Sequence, residues 1–259
     1  RDFCLSRGLG DVYKRQADGI TFAMIKCGGG DDGLYEDRKF QQNIQGALAN
    51  GIQVGVYFYS GASNAREAYD EASYCISLIR DYQITYPVAF DWELDGDYDS
   101  VTEACETFCN VISSYGYQPM VYSNRNRWYN NFDGEKIASK YKVWMAAYFG
   151  KFYYDSVRWT YGDELPNFRY HYDMWQYSSR CYVDGISGQV DVDIAFFGYA
   201  NYHVDTKDAV LTVTNKEIKR TYGDGIGRLT EELNLLDGVK GINTILSLIH
   251  ISEPTRQAE

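Results

Sequence analysis

Two carboxylates separated by one residue, Asp91 and Glu93, follow the apolar run Pro87-Val88-Ala89-Phe90. In a β-strand, residues i and i+2 project to the same side, so the two acids would share one face while Trp92 turns to the other. Two carboxylates this close in a partly dry site do not both ionise easily. One keeps its proton near neutral pH and is available as a general acid. Paired carboxylates of this kind are what glycoside cleavage uses. The plain alternative is a loop with two solvated acids. It fits poorly here, because charged groups ending a buried apolar strand carry a solvation cost that function would explain.

Such acids need a scaffold that brings strand ends to one place. From Gly19 onward, short runs rich in β-formers alternate with longer segments of helical spacing. Residues 20–27 read as a strand, followed by a Gly-rich turn. A helix is expected over residues 37–50, with Phe40, Ile44, Ala47 and Leu48 on one face and Gly51 as its stop. Residues 52–60 form the next strand and residues 63–81 a helix with Ala68, Ala72, Cys75, Ile76 and Ile79 inward. A buried strand over 87–93 and a helix over 101–115 follow. Residues 119–123, 142–148 and 171–177 read as strands with less helix between them, and 182–197 as a final hairpin. Near-continuous apolar strands alternating with helices argue for a parallel sheet covered on its outer face; about seven over roughly 180 residues suit an α/β barrel. An open doubly wound sheet is the alternative. No strand runs into GxGxxG, however, and Gly28-Gly29-Gly30 lacks the spacing and the Lys-Ser/Thr of a phosphate loop, so it reads as a βα turn.

Composition narrows the partners. A hydrophobic fraction of 45% over 259 residues supports a sizeable core and excludes a disordered chain. The formal net charge of −11 argues against the basic surface of a nonspecific nucleic-acid binder. Charge-free apolar stretches such as residues 52–65 fall short of the roughly 18 residues that a membrane-spanning helix needs. Tyr outnumbers Phe, 25 to 12, a balance that suits polar ligands such as sugars as well as packing. Cys27, Cys75, Cys105, Cys109 and Cys181 form no CxxC pair, and His171, His203 and His250 are the only histidines, which disfavours a zinc site. No metal or cofactor is expected. Buried free thiols are the favoured reading, with a disulfide left open. Residues 1–16, which include Cys4, and residues 246–259 resemble translated sequencing-adapter read-through and are set apart as non-native ends.

Several motifs, in order, carry a resemblance. They are Gly55-Val56-Tyr57-Phe58-Tyr59-Ser60, Tyr86-Pro87-Val88-Ala89-Phe90-Asp91-Trp92-Glu93, Val121-Tyr122-Ser123, Val143-Trp144-Met145-Ala146-Ala147-Tyr148, Trp175-Gln176-Tyr177-Ser178-Ser179 and Gly185-Ile186-Ser187-Gly188-Gln189-Val190-Asp191-Val192-Asp193. Residues 17–198 thereby resemble glycoside hydrolase family 25, the muramidase-type lysozymes of bacteria and phages. The resemblance implies a modified (β/α) TIM-like barrel over residues 17–200. It would cleave, with retention, the β-1,4 bond between N-acetylmuramic acid and N-acetylglucosamine of bacterial peptidoglycan. The enzyme would be a monomer without cofactor, secreted or phage-delivered to the cell wall. On this reading Glu93 is the general acid/base, Asp91 steers the substrate acetamido group as internal nucleophile, with direct attack by a carboxylate as the alternative for such enzymes, and Asp191 is an acid at the end of the last strand. Tyr59, Tyr122, Trp144, Tyr148, Trp175 and Gln176 would line the sugar sites, their rings stacking on pyranose faces. Asp193 alternates in phase with Asp191 but ranks below it, since the family often carries Asn there.

The departures set further expectations. Family members open on a Gly-Ile-Asp-x-Ser strand, whereas here the family-like sequence starts at the second strand. The barrel is therefore expected to lack its first strand, to leave two unpaired edges, and to be poorly soluble and weakly active. Residues 201–208 read as a linker. Residues 209–245, with Tyr222-Gly223-Asp224-Gly225, Arg228 and Ile242-Asn243, resemble a partial helical cell-wall-binding repeat. The rival from another class is a noncatalytic glycan-binding protein or an inactive fragment.

Overall fold

The structure is a computed structural model and describes residues 20–160, 163–183, 186, 188–197, 211–213 and 239–241. It divides into two compact units, Arg1–Asn201 and Tyr202–Glu259. In the first, the elements run β1 (Phe22–Gly29), β2 (Tyr35–Glu36), α1 (Phe40–Ala49), β3 (Gln53–Tyr59), α2 (Ala65–Ile79), β4 (Val88–Asp91) and α3 (Tyr98–Ser114). Then come β5 (Pro119–Asn124), α4 (Arg125–Asn130), α5 (Gly134–Ala138), β6 (Lys142–Ala146), α6 (Gly150–Tyr154), β7 (Met174–Cys181) and β8 (Val190–Ala195). The eight strands form one sheet in the order β2-β1-β3-β4-β5-β6-β7-β8. β1 and β3 through β7 are mutually parallel, and the short β2 and the last strand β8 run antiparallel to their neighbours.

The helices form because their buried positions recur at helical spacing and their ends are capped. In α2 the buried stripe is Ala68, Glu71, Ala72, Cys75, Ile76 and Ile79. Its N-cap, Asn64, accepts hydrogen bonds from the backbone N–H groups of Arg66 and Glu67. In α3 the stripe is Val101, Ala104, Cys105, Phe108, Cys109 and Ile112, and Asp97 caps the first turn. Gly51, at φ 66°, ends the first helix as expected.

Alternation along the strands sorts apolar side chains into two cores. One lies between sheet and helices and includes Val56, Phe58, Val88, Phe90, Val121 and Val143. The other lies on the opposite face and gathers Met24, Tyr57, Ala89, Met120, Tyr122, Trp144, Ala146 and Met174. Neighbouring strands lie about 4.8 Å apart, so β3 and β6, three steps apart, would be about 14 Å apart in a flat sheet. Yet the rings of Tyr57 on β3 and Trp144 on β6 have centroids 6.3 Å apart. Phe197, just past β8, likewise packs 5.5 Å from Tyr86 ahead of β4. The sheet is therefore curled around its inner core: the fold is a modified TIM-like α/β barrel with the helices outside.

Two expectations are corrected. The final hairpin is not contained in residues 182–197, because its first strand is β7, whose Gln176 pairs with Asp193 of β8. The strand expected over 87–93 ends at Asp91, so Glu93 sits on the loop that leaves it. In the second unit the described residues form two short antiparallel strands, β9 (Leu211–Val213) and β10 (Val239–Gly241). The remainder of the expected linker and repeat, both adapter-like ends, and any strand ahead of residue 20 lie outside the described residues. Among the described residues no helix is long and apolar enough to cross a membrane.

Candidate active site

The parallel register aligns one rung of inward-facing residues across four strands. Tyr59 on β3 pairs with Asp91 on β4, Asp91 with Tyr122 on β5, and Tyr122 with Trp144 on β6. Tyr59 and Asp91 are the last residues of their strands, so this rung lies at the C-terminal end of the sheet, where barrels of this kind place their chemistry. Trp92 turns the other way as expected, into the outer core against Phe132. The segment that carries Glu93 is held from both sides. Ser123 Oγ donates to the Trp92 carbonyl at 2.7 Å, and Arg127 Nε donates to the Leu94 carbonyl at 2.9 Å.

Asp91 is 2% exposed and its Oδ1 has no hydrogen-bond partner. Burial, reinforced by the negative charge of Glu93, pushes its carboxyl well above the usual carboxylate range, while Lys26 and Arg127 pull the other way. Glu93 is half-buried beside it. Tyr59 also feels both acids: burial raises its hydroxyl, followed by the charges of Glu93 and Asp91.

Opposite the pair lies a hydroxyl and amide cluster. Gln176, 1% exposed on β7, accepts at Oε1 from the Tyr122 hydroxyl at 2.9 Å and from the Tyr148 hydroxyl. Burial holds the Tyr148 hydroxyl far above its ordinary value, and Asp191, Asp193 and Glu93 add to the effect. Tyr122 is raised in the same way, first by burial, with Asp91, Glu93 and Asp191 contributing. Asp91, Glu93, Asp191, Tyr59, Tyr122, Tyr148 and Gln176 are therefore neighbours, linked by charge or by hydrogen bonds. Tyr148, 37% exposed, stands at the edge of this group and stacks on Tyr153.

Two tryptophans expected on sugar faces do other work. Trp144 is fully buried: Tyr122 packs against its ring at 4.6 Å, and its Nε1 donates to Asp193 Oδ1 at 2.7 Å. It is the floor beneath the cleft and offers no open face. Trp175 lies in the outer core, stacked on Phe149 with its Nε1 donating to the Ala147 carbonyl. Alternation on β7 sends Met174 and Gln176 inward and Trp175 outward, so it is not brought to the cleft. Asp193 has a structural task, anchoring Trp144. Burial and the neighbouring Asp191 raise its carboxyl well above the usual range, against the lowering donated by the indole N–H.

The description "Glycosyl hydrolases family 25" belongs to the family model that matches residues 7–186, well over half of the chain. The chain belongs to glycosyl hydrolase family 25. It is 25% identical over 258 residues to the autolytic lysozyme of Clostridium acetobutylicum, covering 94% of this chain and 69% of that protein. Among solved structures, the CTP1L endolysin aligns with a TM-score of 0.60 and 25% identity over 75% of this chain and 64% of that one. The modular autolysin LytC of Streptococcus pneumoniae, solved with a synthetic peptidoglycan ligand, aligns at a TM-score of 0.58 and 26% identity. That alignment covers 72% of this chain and 43% of LytC, so the chain spans less than two thirds of either solved relative.

Two basic residues of this family 25 cleft escaped the sequence reading. Lys26 shares the inward parity of Met24 on β1, and its Nζ lies 4.8 Å from the centre of the Tyr59 ring and 5.5 Å from that of Tyr35. Arg127 reaches the site from α4. A lone charge at an inward position of an apolar strand was the available signal for Lys26. Nothing local marked Arg127, because a six-residue helix after β5 was not anticipated.

Proposed function

We propose that this chain is an N-acetylmuramidase that hydrolyses the β-1,4 bond between N-acetylmuramic acid and N-acetylglucosamine of peptidoglycan with retention. The observation that carries the reading is the carboxyl pair at the end of β4, with Asp91 buried and its Oδ1 unpartnered beside the half-buried Glu93. The wall-lytic names of the family 25 relatives support it.

Glu93 protonates the glycosidic oxygen as the bond to the anomeric carbon breaks, and the acetamido carbonyl oxygen of the same sugar closes onto that carbon. Asp91 Oδ1 accepts the acetamido N–H, filling its missing hydrogen bond and favouring the charged form that Lys26 and Arg127 also favour. Glu93 then takes a proton from the water that opens the cyclic intermediate. That step restores the configuration at the anomeric carbon. Asp191 with Tyr59 and Tyr148 holds the sugar rings, and the buried Tyr122 and Gln176 position Tyr148 from behind. The protein works as a monomer on the bacterial wall, reached by secretion or phage delivery.

Muropeptide release from purified peptidoglycan, with borohydride reduction and mass spectrometry of the products, tests this. Wild type should yield reduced muramic-acid ends, and Glu93→Gln should lower the rate by about 10²–10⁴-fold while wall binding persists. Binding without release by folded wild type would replace the reading with a noncatalytic glycan binder.

A further inference from the structure

A second buried carboxylate lies behind the cleft. Glu71, 3% exposed, belongs to the buried stripe of α2, among Ala68, Ala72 and Cys75. Its Oε2 accepts from Ser60 Oγ at 2.5 Å and its Oε1 from the Gly61 backbone N–H at 2.8 Å. Ser60 Oγ in turn accepts from the Ala62 N–H at 3.1 Å. The same short segment is tied to the active rung: the Ser60 N–H donates to the Asp91 carbonyl at 2.7 Å, and the Tyr59 carbonyl accepts from the Gly30 N–H at 2.9 Å. The chain closes tightly around the carboxylate. A Cβ on Gly30 would stand 2.1 Å from Glu71 Oε1, and one on Gly61 would stand 2.6 Å from the Gly30 carbonyl oxygen.

A charge-bearing group in this place needs a reason, because the same stripe position filled by an apolar residue would avoid the desolvation cost. Burial holds the Glu71 carboxyl up at about 7 even though its hydrogen bonds from Ser60 and Gly61 lower it. The carboxylate satisfies donors that point away from the sheet, just where β3 must end and turn. One rung inward are Tyr59 and Asp91, whose side chains form the cleft.

We propose that Glu71 is a positioning residue of the active site: by clamping Ser60 and Gly61 from α2, it fixes the backbone that sets Tyr59 against Asp91 and Glu93. The clamp touches no substrate and acts through the Ser60 linkage. The proposal rests on the muramidase reading for its kinetic consequence, and on hydrogen bonding alone for its structural one.

The test compares wild type, Glu71→Gln, Ser60→Ala and the double variant in full-length protein. The first readout is muropeptide release, with kcat and KM resolved on a soluble glycan. The second is amide hydrogen exchange at Ser60 and Gly61. Glu71→Gln should lower kcat by about 10-fold with KM changed less than about 2-fold, since the lost geometry matters most in the transition state. Ser60→Ala, which keeps the charge and the Gly61 hydrogen bond, should lower kcat by about 3-fold. The double variant should be no slower than Glu71→Gln, because both act through one linkage. Exchange at Ser60 and Gly61 should accelerate in Glu71→Gln while the strands β5 and β6 stay protected. Unchanged kcat in folded Glu71→Gln overturns the proposal and leaves the muramidase reading intact. Should wild type release nothing, the muramidase reading fails, and local exchange decides the clamp: acceleration confined to Ser60 and Gly61 upholds it, and unchanged exchange overturns it.

Discussion

At the scale of single residues, Asp91 sets the character of the cleft. It is a carboxyl kept in a place where its charge is poorly solvated, with one oxygen waiting for a donor. The sign of its effect on stability follows from linkage. Its folded value lies above the unfolded 3.8, so the stability it contributes is fully present below pH 3.8 and is lost as the pH rises through the folded value. Asp91→Asn keeps shape and removes that loss. We expect its melting temperature at pH 7 to equal or exceed that of wild type, with muropeptide release down by about 10²-fold. Calorimetry at pH 4 and pH 7 checks this, and a variant that melts well below wild type at pH 7 would show that the ionised carboxylate is a structural asset. Glu71 follows the same sign: with its folded value of about 7 against 4.5, stability declines as pH rises between the two. Glu71→Gln should flatten that part of the stability profile.

The elements act by delivering strand ends to a common level. β1, β3 and β4 leave the sheet together, and their loops touch through backbone rather than side chains. Gly61 shows how little room there is, since a Cβ there would lie 2.6 Å from both the Gly30 carbonyl oxygen and the Asp31 Cα. Neither atom can swing aside as a side chain would. Gly61→Ala should therefore destabilise by about 1–3 kcal/mol and lower kcat through the displaced Tyr59. Chemical denaturation and the soluble-glycan assay measure the two effects, and a fully stable, fully active Gly61→Ala would mean that the loops yield without consequence. Much of this layer was legible in the chain. The helix stripes of α2 and α3, the Gly51 stop and the opposite directions of Asp91 and Trp92 all follow from local periodicity. Glu71 was legible in principle, because it falls within the stripe at 68, 72 and 75, but an acidic residue there reads as solvated until the loop that it clamps is seen. Trp175 was not legible. Strands of a covered parallel sheet are apolar on both faces, so the alternation of Met174, Trp175 and Gln176 leaves open which face looks inward.

At the scale of the molecule, the described residues of the first unit pack into two cores separated by a curled sheet, with no covalent staple among them. Cys27, Cys75, Cys105, Cys109 and Cys181 are all free and buried. Cys27 and Cys75 approach at 3.7 Å between sulfurs, a contact and not a bond. Burial pushes the Cys75 and Cys105 thiols well above their ordinary value, which keeps the reactive thiolate scarce. In a Cys4→Ser background, a thiol reagent should label none of these five in the native protein and all five after unfolding, and reductant should leave the melting temperature unchanged. Fast labelling of native protein, or a reductant-sensitive melt, would contradict the buried-thiol arrangement.

The sequence by itself determined what backbone periodicity encodes: the βα order, the inward stripes, and an inward acid, Asp91, at a strand end. These depend on neighbours within a few residues, which the chain carries with it. Only the tertiary structure decided which strand neighbours which, that β7 and β8 make the closing hairpin, and that Trp144 is floor while Trp175 is outer packing. It alone brought Lys26 and Arg127 to Asp91, and Glu71 to Ser60. Those outcomes come from the curl of the sheet, which puts residues three strands apart within contact and turns otherwise equivalent apolar faces into an inside and an outside.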